Sequence, residues 1–237
     1  MNIEGSTALV TGANRGLGRH CATQLLERGA TKVYAAARNP ESIDLPGVIP
    51  VALDITDPAS VAAAAALAGD VTLLVNNAGV SHYAGLVTGE LDALRNEMET
   101  NFWGTLHMIR GFAPVLGGGG GGAILNVLSR LSWLTYPGAG GYSASKAAAW
   151  SLTDGVRLDL ASQGTQVTGL YLSATDTDMM AGWDIPKNDP ADVVRAALDG
   201  LEAGRLEILA DEDTAATKRT LNLDPSEIYA DLLVAAG

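Results

Sequence analysis

Short apolar, β-favouring runs alternate along the chain with longer Ala- and Leu-rich segments. "TALVT" (7–11), "KVYAAA" (32–37), "VIPVAL" (48–53), "VTLLVN" (71–76), "AILNVLS" (123–129), "QVTGLYL" (166–172) and "LEILA" (206–210) read as strands. Between them, 16–30 reads as a helix stopped by Gly29, and 57–69 as a helix with Asp57 as cap and Pro58 in its first turn. A long helix is expected over about 89–112 and another over 140–163, ending at Gly164. Late helices are expected to start at "DPAD" (189–192) and "DPSE" (224–227), each with an Asp cap, a Pro and an acid placed for a capping box. Alternating strands and helices imply βαβ units and a parallel α/β sheet covered on both faces, as continuously apolar strands require. No repeat and no compositional shift divides the chain, so residues 1–237 are expected to form a single domain. The hexaglycine at 117–122 reads as a flexible surface loop.

Composition narrows the function. The chain has 237 residues, 47% of them apolar and 18% charged, which is enough for a sizeable core and argues against disorder. Fifteen basic against 27 acidic side chains give a net charge of −12. Such a surface repels phosphate backbones and anionic lipid, so neither nucleic acid nor membrane is an expected partner. The lone cysteine, Cys21, rules out an intramolecular disulfide. "MNIEGSTALV" lacks the basic start and long apolar run of a secretory signal. No apolar stretch reaches the roughly 18 uncharged residues of a membrane helix. The expectation is a soluble cytoplasmic protein. His20, His82 and His107 have no metal-ligand spacing, so no metal site is expected.

"TGANRGLG" (11–18) follows the first strand and opens the first helix. Gly12, Gly16 and Gly18 allow a tight turn and close approach of a pyrophosphate. Asn14, Arg15 and Leu17 complete the loop, and the helix N-terminus presents amide donors. At the end of the second strand, where an acid would accept the ribose hydroxyl of NAD, the chain has Ala37 and then Arg38. Arg15 and Arg38 suit a 2′-phosphate, so NADP(H) is expected over NAD(H). Asp54 and Ile55, after the third strand, are placed to edge the adenine, with a plain turn residue as the equal alternative for Asp54.

"YSASK" (142–146) sets Tyr142 and Lys146 one helical turn apart. Alone, this spacing fits a solvated helix as well as a proton-transfer pair. "TGANRGLG", "NNAG" (76–79), Asn101 in "NFWGT", Ser129 in "NVLSRLSW" and "YSASK" together resemble the short-chain dehydrogenase/reductase family, in its compact single-domain branch. The resemblance spans nearly the whole chain. It implies a doubly wound (Rossmann) seven-stranded sheet, a nicotinamide cofactor, and hydride transfer between that cofactor and an alcohol or carbonyl carbon. It further implies Tyr142 as acid/base, with Ser129, Lys146 and Asn101 as its partners. Asn77, Ala78 and Gly79 would then lie along the cofactor, and the protein would be a homodimer or homotetramer.

The chemistry of these residues agrees. Reducing a carbonyl needs a proton on oxygen, and a tyrosine of ordinary pKa, about 10, is a poor base near neutrality. A nearby ammonium lowers that value, a role expected for Lys146. Lys146 is also expected to bind the nicotinamide ribose. The Ser129 hydroxyl is placed to donate to the substrate oxygen, with Ser132 as its rival. Asn101 is expected to hold a water behind Lys146. His82, Tyr83, Trp133, Tyr136 and Trp183 are candidates for a substrate pocket or for ordinary packing. "LYLSATDTDM" (170–179) departs from the family, because Leu172 and Ser173 stand where Pro-Gly is usual. That puts the path of the loop in question, along with the nicotinamide contact of Thr177 or its neighbour Thr175. Met179, Met180 and Trp183 suggest a small apolar lid. A catalytically silent NADP-binding sensor or scaffold is the alternative function.

Overall fold

A computed structural model describes residues 1–234. Seven strands, β1 (Thr7–Thr11), β2 (Lys32–Ala37), β3 (Ile49–Ala52), β4 (Leu73–Asn76), β5 (Ala123–Val127), β6 (Gln166–Tyr171) and β7 (Glu207–Leu209), form one parallel sheet in the order β3-β2-β1-β4-β5-β6-β7. This is the doubly wound α/β fold expected. Side chains alternate between its faces. Ala8, Val10, Val33, Leu73, Val75 and Leu125 pack against α1 (Gly16–Glu27) and, later in the chain, the helix Pro190–Glu202. Leu9, Tyr34, Leu74 and Ile124 pack against the opposite layer. The inner strands are buried on both faces and mostly apolar, with Asn76, Asn126 and Thr168 as buried polar exceptions, whereas the edge strand β3 is largely exposed.

The helices hold for different reasons. α2 (Pro58–Leu67) has six alanines among its ten residues and buries only Val61 and Ala64. High helix propensity, the Asp57 cap on Ala59 N (2.9 Å) and Pro58 carry it. The expected long helix is in fact three segments: α3 (Leu91–Met98), a π-helical turn Glu99–Gly104, and α4 (Thr105–Gly118). α4 buries Met108, Ile109, Phe112 and Leu116, and complete burial of such side chains is worth roughly 1.5–3 kcal/mol each. That packing carries it through Pro114, whose missing N–H lies on the exposed outer face.

α5 (Gly140–Asp159) and the 3₁₀ turn Ala161–Gln163 end at Gly164, as expected. α6 (Pro190–Glu202) is capped by Asp189, but Asp192 pairs with Arg195 at 2.7 Å instead of closing a capping box. α7 (Glu212–Arg219) is a helix the hydrophobic pattern did not reveal, because its exposed positions are charged or small. The reciprocal box expected at Asp224 is present in α8 (Pro225–Ile228), which α9 (Ala230–Val234) follows. Among the described residues, no helix is long and apolar enough to cross a membrane.

The hexaglycine is not a plain flexible loop. Gly117 and Gly118 are the last residues of α4. Gly121 and Gly122 take φ of +120° and +72°, and a Cβ there would lie 2.6 Å from Gly164 O and 2.4 Å from Thr72 O. Gly118 faces open space. Gly122→Ala is therefore expected to destabilise by more than about 1 kcal/mol, read as a lower urea midpoint. Gly118→Ala is expected to be neutral or stabilising by up to about 1 kcal/mol. Equal effects would mean that the run is a uniform linker after all.

Candidate active site

In the strand order, β1 connects toward β2 on one side while β4 and β5 extend the sheet on the other. The crevice therefore opens at the carboxyl ends of β1 and β4. Thr11, the last residue of β1, holds it together. Its hydroxyl donates to Val75 O (3.3 Å) and accepts from Asn77 N and Ala78 N (3.0 Å each). The Asn77 amide donates to Thr11 O (2.9 Å) and Gly12 O (3.3 Å). A Cβ at Gly18 would lie 2.2 Å from Gly12 O and 2.5 Å from the Asn77 amide nitrogen. Only glycine lets the start of α1 approach so closely. Asn14 and Leu17 are half-buried in the loop.

The start of α1 fits a pyrophosphate. α2, α6, α7 and α8 each close their first turn with an Asp side chain, whereas α1 has no side-chain cap and no acid in its first turn. Its leading amides have no intrahelical acceptor and meet no competing carboxylate.

Arg38 is exposed beyond the end of β2, close enough to Asp54 to help hold that carboxyl below its ordinary range. The larger cause there is bonding from Thr56, whose hydroxyl (2.7 Å) and N–H (2.9 Å) donate to Asp54. The Ile55 side chain is buried in the core against Gly104, so of that pair Asp54 is the one left nearer the surface. Arg15 does not stand free beside Arg38. Its guanidinium pairs with Asp178 at 3.1 Å, across the crevice.

Tyr142 and Lys146 lie on the first turns of α5, with the Lys146 ammonium 5.7 Å from the centre of the phenol ring. Ser129, after β5, is buried. Its Oγ accepts from Leu131 N (3.1 Å), and its hydroxyl lies near enough to the Tyr142 phenol to draw the phenol's pKa down. Ser132 is buried with its hydroxyl unpartnered, so of the two serines Ser129 is the one that meets the tyrosine.

The expected lowering of the Tyr142 pKa by Lys146 is not what the chain's own residues produce. Burial pushes the phenol well above its ordinary value, the neighbouring Ser129 hydroxyl opposes this, and Tyr83 and Glu97 add to the rise. Burial also pushes Lys146 down to about 8. Its ammonium donates to Val127 O (2.9 Å) and lies close to Gly79, where a Cβ would sit 3.7 Å from it.

Asn101 sits in the π turn, and its side chain is already committed. Oδ1 accepts from Val80 N, while Nδ2 donates to Val80 O and to Ser145 Oγ, all at 2.9 Å. Both Nδ2 protons and one Oδ1 lone pair are thus engaged in fixing the Val80 segment and Ser145, which leaves one Oδ1 lone pair for the expected water.

One turn earlier on the same side, Glu97 is fully buried and escaped the sequence reading. Its Oε1 accepts from His82 N at 2.6 Å. Oε2 has no partner and lies where a Cβ on Gly141 would come within 2.3 Å. Glu97 thus joins the segment leading to Tyr83 to the residue preceding Tyr142. The i,i+4 spacing of Glu97 and Asn101 was the available signal.

The loop after β6 has a defined path without Pro-Gly. Ser173 N donates to Asp211 (2.9 Å), Asn188 Nδ2 donates to Ser173 Oγ (3.0 Å) and Asp211 (3.1 Å), and Asn188 N donates to Ala174 O (2.8 Å). Burial raises the Asp211 pKa, but bonds from Ser173 and Thr214 outweigh it and hold the carboxyl low. Thr175 is buried, whereas Thr177 faces the cradle, 3.4 Å from where a Cβ on Gly16 would be. Beyond it, Tyr83 donates to Met179 O (3.0 Å) and approaches Met180 Sδ (3.2 Å), with its ring 5.1 Å from Trp183. Trp133 is instead stacked on Tyr171 (4.4 Å) beneath Lys218 and belongs to packing. Tyr136 is exposed beside Arg130, and His82 bonds Asn96 Oδ1 at 2.8 Å. No cluster among the described residues is suited to hold a metal ion.

Comparison with known proteins yields a match of residues 6–187 to the model for short chain dehydrogenase. A sorbitol dehydrogenase from Cereibacter sphaeroides is 32% identical over 227 residues, covering 88% of this chain and 89% of the relative. A short chain dehydrogenase from Burkholderia cenocepacia J2315, solved in complex with NADP, is 42% identical with a TM-score of 0.94, over 98% of this chain and 99% of that one. A short chain dehydrogenase/reductase from Burkholderia phymatum, in complex with NAD, is 26% identical with a TM-score of 0.84, over 98% and 96%.

The buried Glu97 contact is open to test. Glu97→Leu fills the space but leaves the His82 amide unpartnered, which is expected to cost about 1–3 kcal/mol in thermal unfolding. Glu97→Gln keeps an acceptor and is expected to recover most of that loss. Equal midpoints for the two variants would show that the contact contributes nothing.

Proposed function

The chain belongs to the short chain dehydrogenase family of oxidoreductases, and on that premise we propose that it is an NADP(H)-dependent carbonyl reductase or alcohol dehydrogenase with Tyr142 as acid/base. The observation that carries this reading is the half-buried Tyr142 phenol beside the buried Ser129, one helical turn from a buried Lys146, at the edge of an uncapped glycine cradle. A bound nicotinamide cofactor supplies the hydride and, when oxidised, a positive charge near the phenol.

The chain's own groups do the rest. With its pKa held up by burial, Tyr142 is protonated at neutral pH and donates its proton to the substrate oxygen during reduction. Ser129 Oγ accepts from Leu131 N–H and faces the Tyr142 side of the crevice, where its proton can stabilise charge developing on that oxygen. Lys146 spends one donor on Val127 O and keeps others for ribose hydroxyls reached across Gly79. Asn101 positions Gly79 and Val80, and Asn77, Ala78 and Thr177 line the way to the cradle. Thr175 serves from behind, packing the loop.

Preference for NADP rests on Arg38 and Arg15 with Ala37 in place of an acid. The Arg15–Asp178 pair is no obstacle, since both side chains are 68% exposed and such pairs are worth at most about 1 kcal/mol. The NADP complex of the Burkholderia cenocepacia protein supports the same choice. The reading takes residues 1–237 as one domain of a cytoplasmic homodimer or homotetramer. Exposed Trp103 and Leu158 supply apolar surface for such an assembly.

Tyr142→Phe is expected to keep NADPH affinity by titration and to lose about 100-fold or more in kcat. Unchanged turnover would remove Tyr142 from the mechanism. Arg38→Asp is expected to reverse the ratio of kcat/KM for NADPH over NADH. Persistence of NADPH preference in that variant would show that the 2′-phosphate is read elsewhere.

A further inference from the structure

Resting on the carbonyl-reductase reading, we propose that the substrate is an uncharged ketone or aldehyde whose aromatic or comparably bulky apolar group packs on the surface formed by Tyr83, Met180 and Trp183. Tyr83 is the only non-glycine among the described residues with positive φ, at +53°. For a bulky aromatic residue this conformation is strained, and such strain persists where the surroundings hold it and a site uses it. Here the hold is visible. The Tyr83 phenol donates to Met179 O, lies on Met180 Sδ and packs against the Trp183 ring. The same phenol is near enough to Tyr142 to raise its pKa, so this aromatic and thioether surface borders the reacting proton.

The surface is left bare by the chain itself. Tyr83 is 37% exposed, Met179 40% and Trp183 45%. Two rings and two flexible thioethers make an adaptable seat for a flat apolar group.

Charge selects in the same direction. The lid segment carries Asp176, Asp178 and Asp184. The nearby cations are spoken for: Arg15, 3.1 Å from Asp178, is assigned to the cofactor's 2′-phosphate, while Lys187 lies 3.9 Å from Asp176 and Arg130 4.0 Å from Asp213. A carboxylate or phosphate on the substrate would meet these acids with no unpaired cation on those segments to receive it. The net charge of −12 likewise disfavours acyl groups delivered on an acidic carrier.

The test compares three carbonyl compounds with NADPH on the intact chain: an aryl methyl ketone, a straight-chain methyl ketone of equal carbon number, and phenylglyoxylate, which adds a carboxylate to the aryl ketone. The expected order of kcat/KM is aryl ketone first, the aliphatic ketone about tenfold lower, and phenylglyoxylate lower still by another tenfold or more. Trp183→Ala and Met180→Ala are expected to raise KM for the aryl ketone and to bring the aryl-to-aliphatic ratio toward one, with the dissociation constant for NADPH unchanged. Phenylglyoxylate turned over as well as the aryl ketone, or a ratio untouched by both variants, would overturn the substrate class alone. Oxidation of NADPH by none of the three would overturn the reductase reading and this inference with it.

Discussion

The Thr11 hydroxyl, set at the point where the sheet's two halves diverge, is the contact on which the crevice depends. One side chain ties Val75 to Asn77 and Ala78, and so fixes the chain leaving β4 against the end of β1. The Asn77 amide passes the constraint to Gly12, and Gly12 passes it to Gly18 through a contact that tolerates no side chain. Removing the hydroxyl would loosen both walls of the crevice at once. Next to it, Asn76 donates to Asn126 (2.8 Å) and Asn126 to Thr153 (3.0 Å), carrying the same order under α5, where Tyr142 and Lys146 stand. The polar groups at this edge are buried and mostly satisfied within the chain, and buried networks of that kind admit one arrangement.

A second set of contacts comes from α3 and the π turn. Asn96, Glu97 and Asn101 each grip the stretch from Val80 to His82, by side chain or backbone. The extra residue of the π turn rotates Asn101 so that its amide pairs with Val80 like a neighbouring strand. A regular α-helix would place it differently, and π turns are frequent at functional sites for this reason. The Val80–Tyr83 stretch therefore inherits its position from a helix, and the post-β6 loop inherits part of its own from Tyr83.

What was legible in the sequence is what is local. The glycine spacing, the β1 and β2 boundaries and the Tyr142–Lys146 pair are set by neighbours within a few residues, and the pattern exposes them. Glu97 and Asp211 were not legible, because what they meet is distant in the chain: His82 and Gly141, 15 and 44 residues from Glu97, and Ser173, 38 residues from Asp211. The break in the helix at Glu99–Gly104 left no mark, since the apolar spacing runs through it. The hexaglycine misled by composition: a run that looks featureless contains two positions where backbone from elsewhere leaves no room for a Cβ. The pKa of Tyr142 misled for another reason. Spacing reveals which charge is near, but not how much water the fold removes.

Lys146 carries a thermodynamic cost that its chemistry does not reveal. Its pKa is about 8 in the folded chain against about 10.4 for an exposed lysine, so the unfolded chain binds this proton more tightly. Below pH 8 both states hold the proton and the penalty is complete, on the order of 3 kcal/mol. As the pH rises from about 8 toward 10.4 the folded state gives the proton up first, and stability from this group increases. Near neutrality, then, the residue proposed to grip the cofactor's sugar works against the fold that buries it. The surrounding core must supply that difference before any ligand arrives.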